Sequence, residues 1–172
     1  MNKLRLFPYN KKSKALFLKD KLKIEKALIK LRYFEIHHIG SSSVPDLGGK
    51  GIIDILVAIK DWNKRDDYIK ELKRIGFRHV DYEERQRIFI SRVGKTKYGD
   101  THLHLVKIKN RQYKELLEFG NYLRRNKSEA NRYFKLKLSW IKEAHGNRLE
   151  FGKRKAPYIK VMLSKLRKHK YL

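Results

Sequence analysis

The chain has 172 residues, of which 41% are hydrophobic, so it suits one domain with a continuous core, and wholesale disorder is not expected. It contains no cysteine, which excludes disulfides and thiolate metal sites. Lysine and arginine number 44 against 18 acidic residues, and this net charge of +26 favours polyanionic partners such as nucleic acid.

The first predicted elements lie before a serine-rich loop. Apolar residues recur at helical spacing from Ser13 to Leu31, with lysines on the outer face, which predicts an amphipathic helix. Alternation over Phe34–Ile39 predicts a short strand. This strand runs into Gly40-Ser-Ser-Ser-Val-Pro45, a turn-rich loop that suits the start of a short helix.

A strand with a single charged residue follows. Gly51–Ile59 is an almost unbroken β-branched run, which is typical of a central strand buried on both faces. Asp54 lies in the middle of this run. An ionised carboxylate among apolar side chains is unfavourable unless it is paired, bound to metal or placed at an open strand end. Asp54 is therefore a candidate for chemistry, and a structural aspartate is the alternative.

The remaining pattern alternates first and becomes helical later. Predicted helices are Asp66–Ile75, Tyr113–Arg125, Ser128–His145 with Ser128 as N-cap and Gly146 as the stop, and a last helix from Pro157 to about Lys170. Predicted strands are Phe77–Asp81, Ile88–Val93 and His102–Ile108. We therefore expect an α/β or α+β fold with a mixed β-sheet and helices on one side.

The C-terminal part is distinguished by its charge. From Lys107 to the end the chain has twenty basic and five acidic residues. We divide the single domain into a core at residues 1–110, which includes the N-terminal helix, and a basic helical part at residues 111–172 packed on it. No apolar run is long enough for a signal peptide or a membrane span, so we expect a cytoplasmic protein without membrane contact.

The loop that begins at Gly40 is a candidate phosphate cradle. Glycine lets the backbone approach a phosphate closely, and the hydroxyls of Ser41, Ser42 and Ser43 can donate to phosphate oxygens. One loop later comes the strand with Asp54. Phosphoryl and nucleotidyl transfer need a phosphate cradle and a carboxylate that holds Mg²⁺ or Mn²⁺, and this spacing supplies both.

Further candidates lie on later strands and on the helices. His102 and His104 alternate with leucines, so both imidazoles are expected on one sheet face, where they can bind a metal or act as a base. An exposed polar face is the alternative for this pair. Lys50 and Arg87 can neutralise phosphates, although any one basic residue in so basic a chain is more often on the surface. Other residues that could complete or wall the site are Glu83, Glu84, Tyr122, Arg124, Tyr133 and Lys137.

These motifs resemble those of the GrpB (UPF0157) family. The segment His38–Val57 is similar to that family's HIGSTAVPGL-x-x-KPIIDILV signature, and Thr101–Leu105 is similar to its HLHV strand. Phe119–Arg124 resembles its FRDYLR segment, while Asn131–Lys137 and Tyr158–Lys160 approximate its Y-x-x-L-K and Y-x-x-K helices. The resemblance covers nearly the whole chain and implies a minimal nucleotidyltransferase-like sheet with flanking helices.

Two departures from the expected pattern concern the site. Active nucleotidyltransferases place two carboxylates one residue apart on the strand after the Gly-Ser loop, whereas Asp54 is flanked at that spacing by Ile52 and Leu56. The GrpB family generally shares this shortfall. Gly51 and Asp46 stand where the family usually has Pro and Gly, which alters the loop more than the chemistry.

The expected function is that of a metal-dependent nucleotidyltransferase. Such an enzyme would bind a nucleoside triphosphate with Mg²⁺ or Mn²⁺ and transfer a nucleotidyl group to RNA or another acceptor. The predicted catalytic residues are Asp54, His102 and His104, the predicted phosphate-binding residues are Gly40, Ser41, Ser42, Ser43, Lys50 and Arg87, and the predicted metal ligands are Asp54 and His104. The alternative is a non-catalytic nucleotide- or RNA-binding module with a degenerate site, and a phosphohydrolase that uses the His pair is a third possibility.

Overall fold

The computed structural model describes residues 3–83, 86–92 and 101–168, with only the backbone of residues 79–83, and this part of the chain contains five α-helices and five β-strands. The helices are α1 (Ser13–Leu28), α2 (Arg65–Arg74), α3 (Arg111–Arg125), α4 (Lys127–Glu143) and α5 (Arg148–Lys168). The strands are β1 (Phe34–Ile39), β2 (Ile53–Ile59), β3 (His79–Glu83), β4 (Arg87–Arg92) and β5 (Thr101–Lys107). The predicted strand end at Val93 and helix end at Lys170 lie outside the described residues.

The five strands form one mixed sheet in the order β1-β2-β5-β4-β3. β2 and β5 are parallel, and the other neighbouring strands are antiparallel. The last strand in the chain is therefore inserted next to β2. This insertion pairs Asp54 with His102 across the two strands and brings Phe89 opposite His104.

Helices cover both faces of the sheet, so the prediction of helices on one side is wrong. Alternate residues of β2 point to opposite faces. Ile53, Ile55 and Val57 join the core under α1 and α2, and Leu56 and Ala58 join a second cluster under α3. Because both faces of this strand are apolar, each needs a covering layer. The prediction that β2 is buried on both faces is confirmed.

The C-terminal helices pack against the loop that follows β1. Val44 and Leu47 of this loop share a buried cluster with Leu123 of α3 and with Ala130 and Tyr133 of α4. The segment before α1 ties the same region together, since it forms a backbone bridge to the loop before β2 and a hydrogen bond to the turn after α4. The predicted division at residue 110 stays a prediction.

Two predicted helix starts are wrong. α4 begins at Lys127, with Asn126 and not Ser128 in the cap position, and the Asn126 side chain donates to the Tyr122 carbonyl at the end of α3. α5 begins at Arg148, so Pro157 lies inside it. The stop predicted at Gly146 is consistent with its φ of +76°.

The start of α5 is explained by the side chain of Asn147. The Asn147 side-chain oxygen accepts hydrogen bonds from the backbone N–H groups of Leu149 at 2.9 Å and Glu150 at 3.1 Å, which is a typical N-cap. Pro157 is exposed, so the helical hydrogen bond that it cannot donate is lost on the side that water reaches. Within the described ranges, no helix combines the length and apolar character needed to cross a bilayer.

Candidate functional site

A pocket of about 1850 Å³ lies on the α3 side of the sheet, where β2 and β5 begin and the loop after β1 turns back. Asp54, His102 and His104 face this pocket. Their neighbours along β2 and β5 point to the other sheet face and join the core under α1 and α2. Of the predicted site residues, those that line the pocket are Gly40, Ser41, Ser42, Lys50, Asp54, Arg87, His102 and His104. The same-face geometry predicted for the two histidines is confirmed, since both rings contact Phe89.

Gly40 and Asp54 are packed directly against each other. Gly40 has a φ of +68°, in the left-handed region that favours glycine. A side-chain carbon added at Gly40 would overlap the Asp54 carboxylate. The glycine therefore admits the carboxylate to the base of the pocket, a close approach that the sequence analysis had assigned to a phosphate.

Asp54 is held in its ionised form by an imidazole. His102 Nδ1 lies 3.3 Å from Asp54 Oδ1, and the two side chains are 15% and 26% exposed. Burial is the largest influence and raises the pKa of Asp54, but the hydrogen bond to His102 and the surrounding positive charge, including Lys50, outweigh it, so the net pKa is lowered. The site thus keeps one carboxylate charge under ordinary conditions.

His104 is fixed by Arg87. The Arg87 guanidinium donates to His104 Nδ1 from Nε at 3.3 Å and from a terminal nitrogen at 2.9 Å. Burial, followed by the charge of Arg87, lowers the pKa of His104 to about 3, so the ring is neutral. A neutral ring whose Nδ1 accepts must carry its proton on Nε2. With one nitrogen engaged and the other protonated, His104 does not suit the metal-ligand role predicted for it.

The three serines have three different partners. Ser41 Oγ accepts a hydrogen bond from Lys137 Nζ at 3.0 Å, which leaves its own hydrogen free for a ligand. Ser42 Oγ lies 3.0 Å from His38 Nε2, so His38 of β1 supports this loop.

Ser43 faces away from the pocket. Its hydroxyl donates to the Gly40 carbonyl at 2.8 Å and accepts from Arg124 of α3 at 3.0 Å. Ser43 therefore closes the loop and attaches it to α3. The predicted phosphate contact is not available to it in this arrangement, because it does not line the pocket.

Three lysines converge on the carboxylate. Lys50 comes from the loop before β2, Lys137 from α4 and Lys155 from α5, and all three line the pocket. Burial is the largest influence on each and lowers its pKa, to about 8 for Lys50 and about 7 for Lys137. Lys155 lowers the pKa of the other two further, while Asp54 raises that of all three. Three ammonium groups thus share the field of one carboxylate.

Lys155 was missed, and Lys137 was considered only as one of several helical positions. The signal in the sequence is their spacing. Lys137 is four residues after the buried Tyr133, and Lys155 is four residues after the buried Phe151, so each lies on the apolar stripe of its helix. A lysine on a buried stripe is uncommon unless its charge has a use or a partner.

The donor set suits one hard divalent ion and not two. Mg²⁺ prefers oxygen ligands and is often held by one or two carboxylates together with substrate phosphates. Asp54 can provide such a contact. Among residues 3–83, 86–92 and 101–168, no group of three or more histidine, aspartate or glutamate side chains is arranged to hold a metal ion. Of the earlier candidates, Glu84 lies outside the described residues, and only the backbone of Glu83 is described.

Comparison with known proteins gives a family match over most of the chain. The model of the family described as GrpB protein matches residues 3–165. The UPF0157 protein BH1888 of Halalkalibacterium halodurans is 28% identical over 138 residues, which cover 78% of this chain and 67% of that protein. The crystal structure of the conserved protein GrpB from Enterococcus faecalis has a TM-score of 0.82 and 27% identity, and the match covers 96% of this chain and 99% of that one.

A second group of similar structures consists of nucleotidyltransferase-like folds. The Cid1 poly(U) polymerase, in a crystal structure with MgATP, has a TM-score of 0.56 and 13% identity, and the match covers 86% of this chain and 50% of that one. An identity this low shows a shared fold and nothing about substrates. The chain therefore has a nucleotidyltransferase-like fold, as the sequence resemblance implied.

Proposed function

This chain belongs to the GrpB family and has a nucleotidyltransferase-like fold. On this basis, we propose that it binds a nucleoside triphosphate with Mg²⁺ in the pocket around Asp54 and transfers a nucleotidyl group to RNA or another acceptor. One observation carries the proposal. Three buried or half-buried lysines and a serine loop surround Asp54. Among the described residues, the other two carboxylates that line the pocket, Asp20 and Glu115, are each paired with arginine, so a surplus of positive charge remains. A bound polyanion would neutralise this surplus.

The phosphates are received by the loop and the lysines. Ser41 has a hydroxyl hydrogen to donate, and Lys50, Lys137 and Lys155 line the same pocket and influence one another's pKa. Asp54 would hold one Mg²⁺, and that ion would supply charge neutralisation at the reacting phosphate. Mn²⁺ can replace it with the same ligands.

The two histidines take different parts. In nucleotidyl transfer an acceptor hydroxyl oxygen bonds to the α-phosphorus, the bond from that phosphorus to the pyrophosphate breaks, and the hydroxyl proton must be removed. His102, which contacts Asp54, accepts this proton, because an imidazole paired with a carboxylate is a suitable general base. His104, protonated on Nε2 and held by Arg87, donates a hydrogen bond to a phosphate oxygen.

A second candidate function is a nucleotide- or RNA-binding module without turnover. This function is favoured by the two positions at which a second carboxylate would stand, two residues before and two residues after Asp54. Both positions are apolar, Ile52 and Leu56. A site with one carboxylate can retain affinity for a metal-bound triphosphate after transfer has been lost. The two candidates share the same pocket and differ only in chemistry.

Calorimetric titration with ATP and UTP, with and without Mg²⁺, tests the binding. We expect Mg²⁺ to increase the affinity of the wild type, and Asp54→Asn to remove that increase while keeping the volume of the side chain. Asp46→Asn is the matched control, because Asp46 is exposed in the following loop at a φ of +62°, which asparagine also tolerates. If no triphosphate binds to the wild type under either condition, the proposal is wrong.

Transfer is tested separately from binding. Incubation of the wild type with radiolabelled triphosphates and a mixture of short RNAs is expected to give labelled RNA and pyrophosphate, and His102→Gln is expected to reduce the rate by about 10²-fold or more. Binding without any labelled product over a range of acceptors and metals would favour the module over the enzyme.

A further inference from the structure

We propose that Lys50, Lys137 and Lys155 take the place of a second divalent ion, so that the terminal phosphates of a nucleoside triphosphate are held by protein ammonium groups and Lys137 takes up a proton when they bind. This inference rests on the proposed triphosphate site and adds to it how the ligand charge is met. Two-metal sites neutralise attacking and leaving oxygens with a pair of ions. Here the second ion has no carboxylate of its own in β2, and the three lysines line the pocket close enough to influence one another's pKa.

Lys137 is the centre of the cluster. Its side chain comes from α4 and is only 3% exposed, yet its ammonium lines the pocket. Nζ donates to Ser41 Oγ at 3.0 Å and to the Gly48 carbonyl. An ammonium has three hydrogens, so one donor remains beyond these two partners.

The hydroxyl and carbonyl that bind Lys137 are neutral groups. A buried ammonium bound only to neutral acceptors lacks a full counter-charge, and an anion is the partner that would complete its environment. The Tyr133 and Phe134 rings, with centroids 4.8 and 5.5 Å from Nζ, hold the side chain in place. The lysine is therefore already positioned before a ligand arrives.

The charges that face Lys137 come from three elements. Lys155 of α5 and Lys50 of the loop before β2 oppose its protonation, and Asp54 of β2 favours it. Burial is the largest influence, and together these lower the pKa of Lys137 to about 7. Near neutral pH the free site therefore holds this proton only in part. A triphosphate carries several negative charges to the same place, which raises the pKa of Lys137 and draws the proton in.

The same charges oppose a second metal ion. A divalent cation placed among the three lysines is repelled by each one that is protonated, and neither Ile52 nor Leu56 can provide a ligand to offset that repulsion. One Mg²⁺ at Asp54 remains compatible with this arrangement. Triphosphate binding is thus expected to persist, weakened, when divalent ions are removed.

The test measures proton uptake during binding. ATP and inorganic triphosphate are titrated into the protein at pH 8 in buffers of different ionisation enthalpy, once in EDTA and once in Mg²⁺. At this pH ATP is almost fully ionised, because its last pKa is close to that of a phosphate monoester, about 6, so the proton uptake is counted from the ATP titrations. We expect binding in both conditions with an uptake of about one proton by Lys137 and up to about half a proton by Lys50, whose pKa is about 8. The affinity is expected to fall by about tenfold or more per pH unit between pH 7.5 and 9.

Lys137→Met and Lys135→Met form the matched pair. Both lie in α4, but Lys135 is exposed and outside the pocket. Lys137→Met is expected to weaken binding by about 10- to 100-fold, the value of a charge-assisted hydrogen bond, and to remove most of the proton uptake. Lys135→Met is expected to bind like the wild type. Circular dichroism verifies that both variants are folded.

Two outcomes overturn the inference while leaving the proposed function intact. One is wild-type binding without proton uptake at pH 8, and the other is binding that is absent in EDTA and requires two Mg²⁺ per triphosphate. Because both are measured on the wild type, they do not depend on how well Lys137→Met folds. Absence of binding in every condition would instead remove the triphosphate site, and the inference with it.

Discussion

At the scale of single residues, the contact between Gly40 and Asp54 decides the shape of the site. The backbone of Gly40 is left-handed, and the carboxylate occupies the space where a side chain would begin. We predict that Gly40→Ala lowers the free energy of unfolding by about 1–3 kcal/mol from backbone strain alone, and displaces Asp54 from the pocket. Urea unfolding measures the first effect, and loss of Mg²⁺-dependent triphosphate binding measures the second.

Gly152→Ala is the control for this substitution. Gly152 lies within α5, and an added side-chain carbon there would meet no atom within 4 Å. Because alanine is the better helix former, this change is expected to raise the free energy of unfolding by about 0.5–1 kcal/mol. If Gly40→Ala were as stable as the wild type, the described packing of Gly40 against Asp54 would be contradicted.

Two neutral histidines make the fold sensitive to acid. Burial lowers the pKa of His38 to about 4 and that of His104 to about 3, against an ordinary value of 6.5. The unfolded chain takes up these protons below pH 6.5 and the folded chain does not. Stability is therefore fully present above pH 6.5 and falls as the pH drops toward 4, by up to about 1.4 kcal/mol per pH unit for each histidine.

Urea unfolding between pH 7 and pH 4 measures this loss. His38→Gln is expected to flatten the acid limb, because glutamine does not titrate, and His145→Gln, at an exposed position in the turn after α4, is expected to leave it unchanged. Equal acid limbs in the wild type and His38→Gln would show that His38 is already protonated or exposed in the folded protein.

The residues of the site differ in how visible they were in the sequence. Gly40, Ser41 and Asp54 could be found because they are close in the chain, and a strand, a turn and a second strand bring them together. His102 and His104 followed from strand alternation. Lys137 and Lys155 come from separate helices, and their arrival at the carboxylate depends on how α4 and α5 pack, which no local pattern encodes.

At the scale of the elements, the caps explain where sequence reasoning succeeded and failed. The amphipathic stretch at α1 and the β-branched run at β2 gave the right elements, because periodicity is set by the face that each buries. The proline at residue 157 suggested a helix start, but the observed helix extends to Arg148 because Asn147 caps it and Phe151 is buried in its first turns. Tertiary packing outweighed the local signal.

The cap of α5 gives a direct test. Asn147→Ala removes the acceptor for the N–H groups of Leu149 and Glu150, so we predict a loss of about 1 kcal/mol in the free energy of unfolding. Asn131→Ala is the matched control, because Asn131 is exposed within α4, where alanine is favourable. Chemical denaturation of both variants measures the difference. Equal stability of the two would mean that α5 does not depend on this cap.

The strand order was beyond the reach of the sequence pattern. Each strand could be predicted from its own alternation, but the placement of β5 between β2 and β4 is a pairing choice between distant segments. That choice puts His102 beside Asp54. The covering of both sheet faces, in contrast, was implicit in the two-sided apolar pattern of β2, and the expectation of helices on one side did not use it.

At the scale of the whole molecule, the net charge of +26 gives its surface a polyanion-attracting field. Part of this charge lies at the rim of the pocket, where Lys19 and Lys23 of α1 and Lys160 of α5 are exposed. An RNA acceptor that enters the pocket would place its backbone along this rim. We therefore expect these three lysines to contribute more to RNA binding than basic residues elsewhere on the surface.

Salt dependence distinguishes this edge from the rest of the basic surface. We predict that affinity for a single-stranded RNA oligonucleotide falls linearly with the logarithm of salt concentration, and that replacing Lys19, Lys23 and Lys160 together by glutamine reduces the slope by about 2, since each phosphate contact on a single strand contributes about 0.7. The control replaces Lys70 and Lys73, which are exposed on α2 and lie outside the pocket. Fluorescence anisotropy at several salt concentrations measures both slopes. If the rim variant and the α2 variant reduce the slope equally per lysine, RNA binds to the basic surface as a whole and not to this edge. An affinity independent of salt would exclude phosphate contacts as the basis of binding.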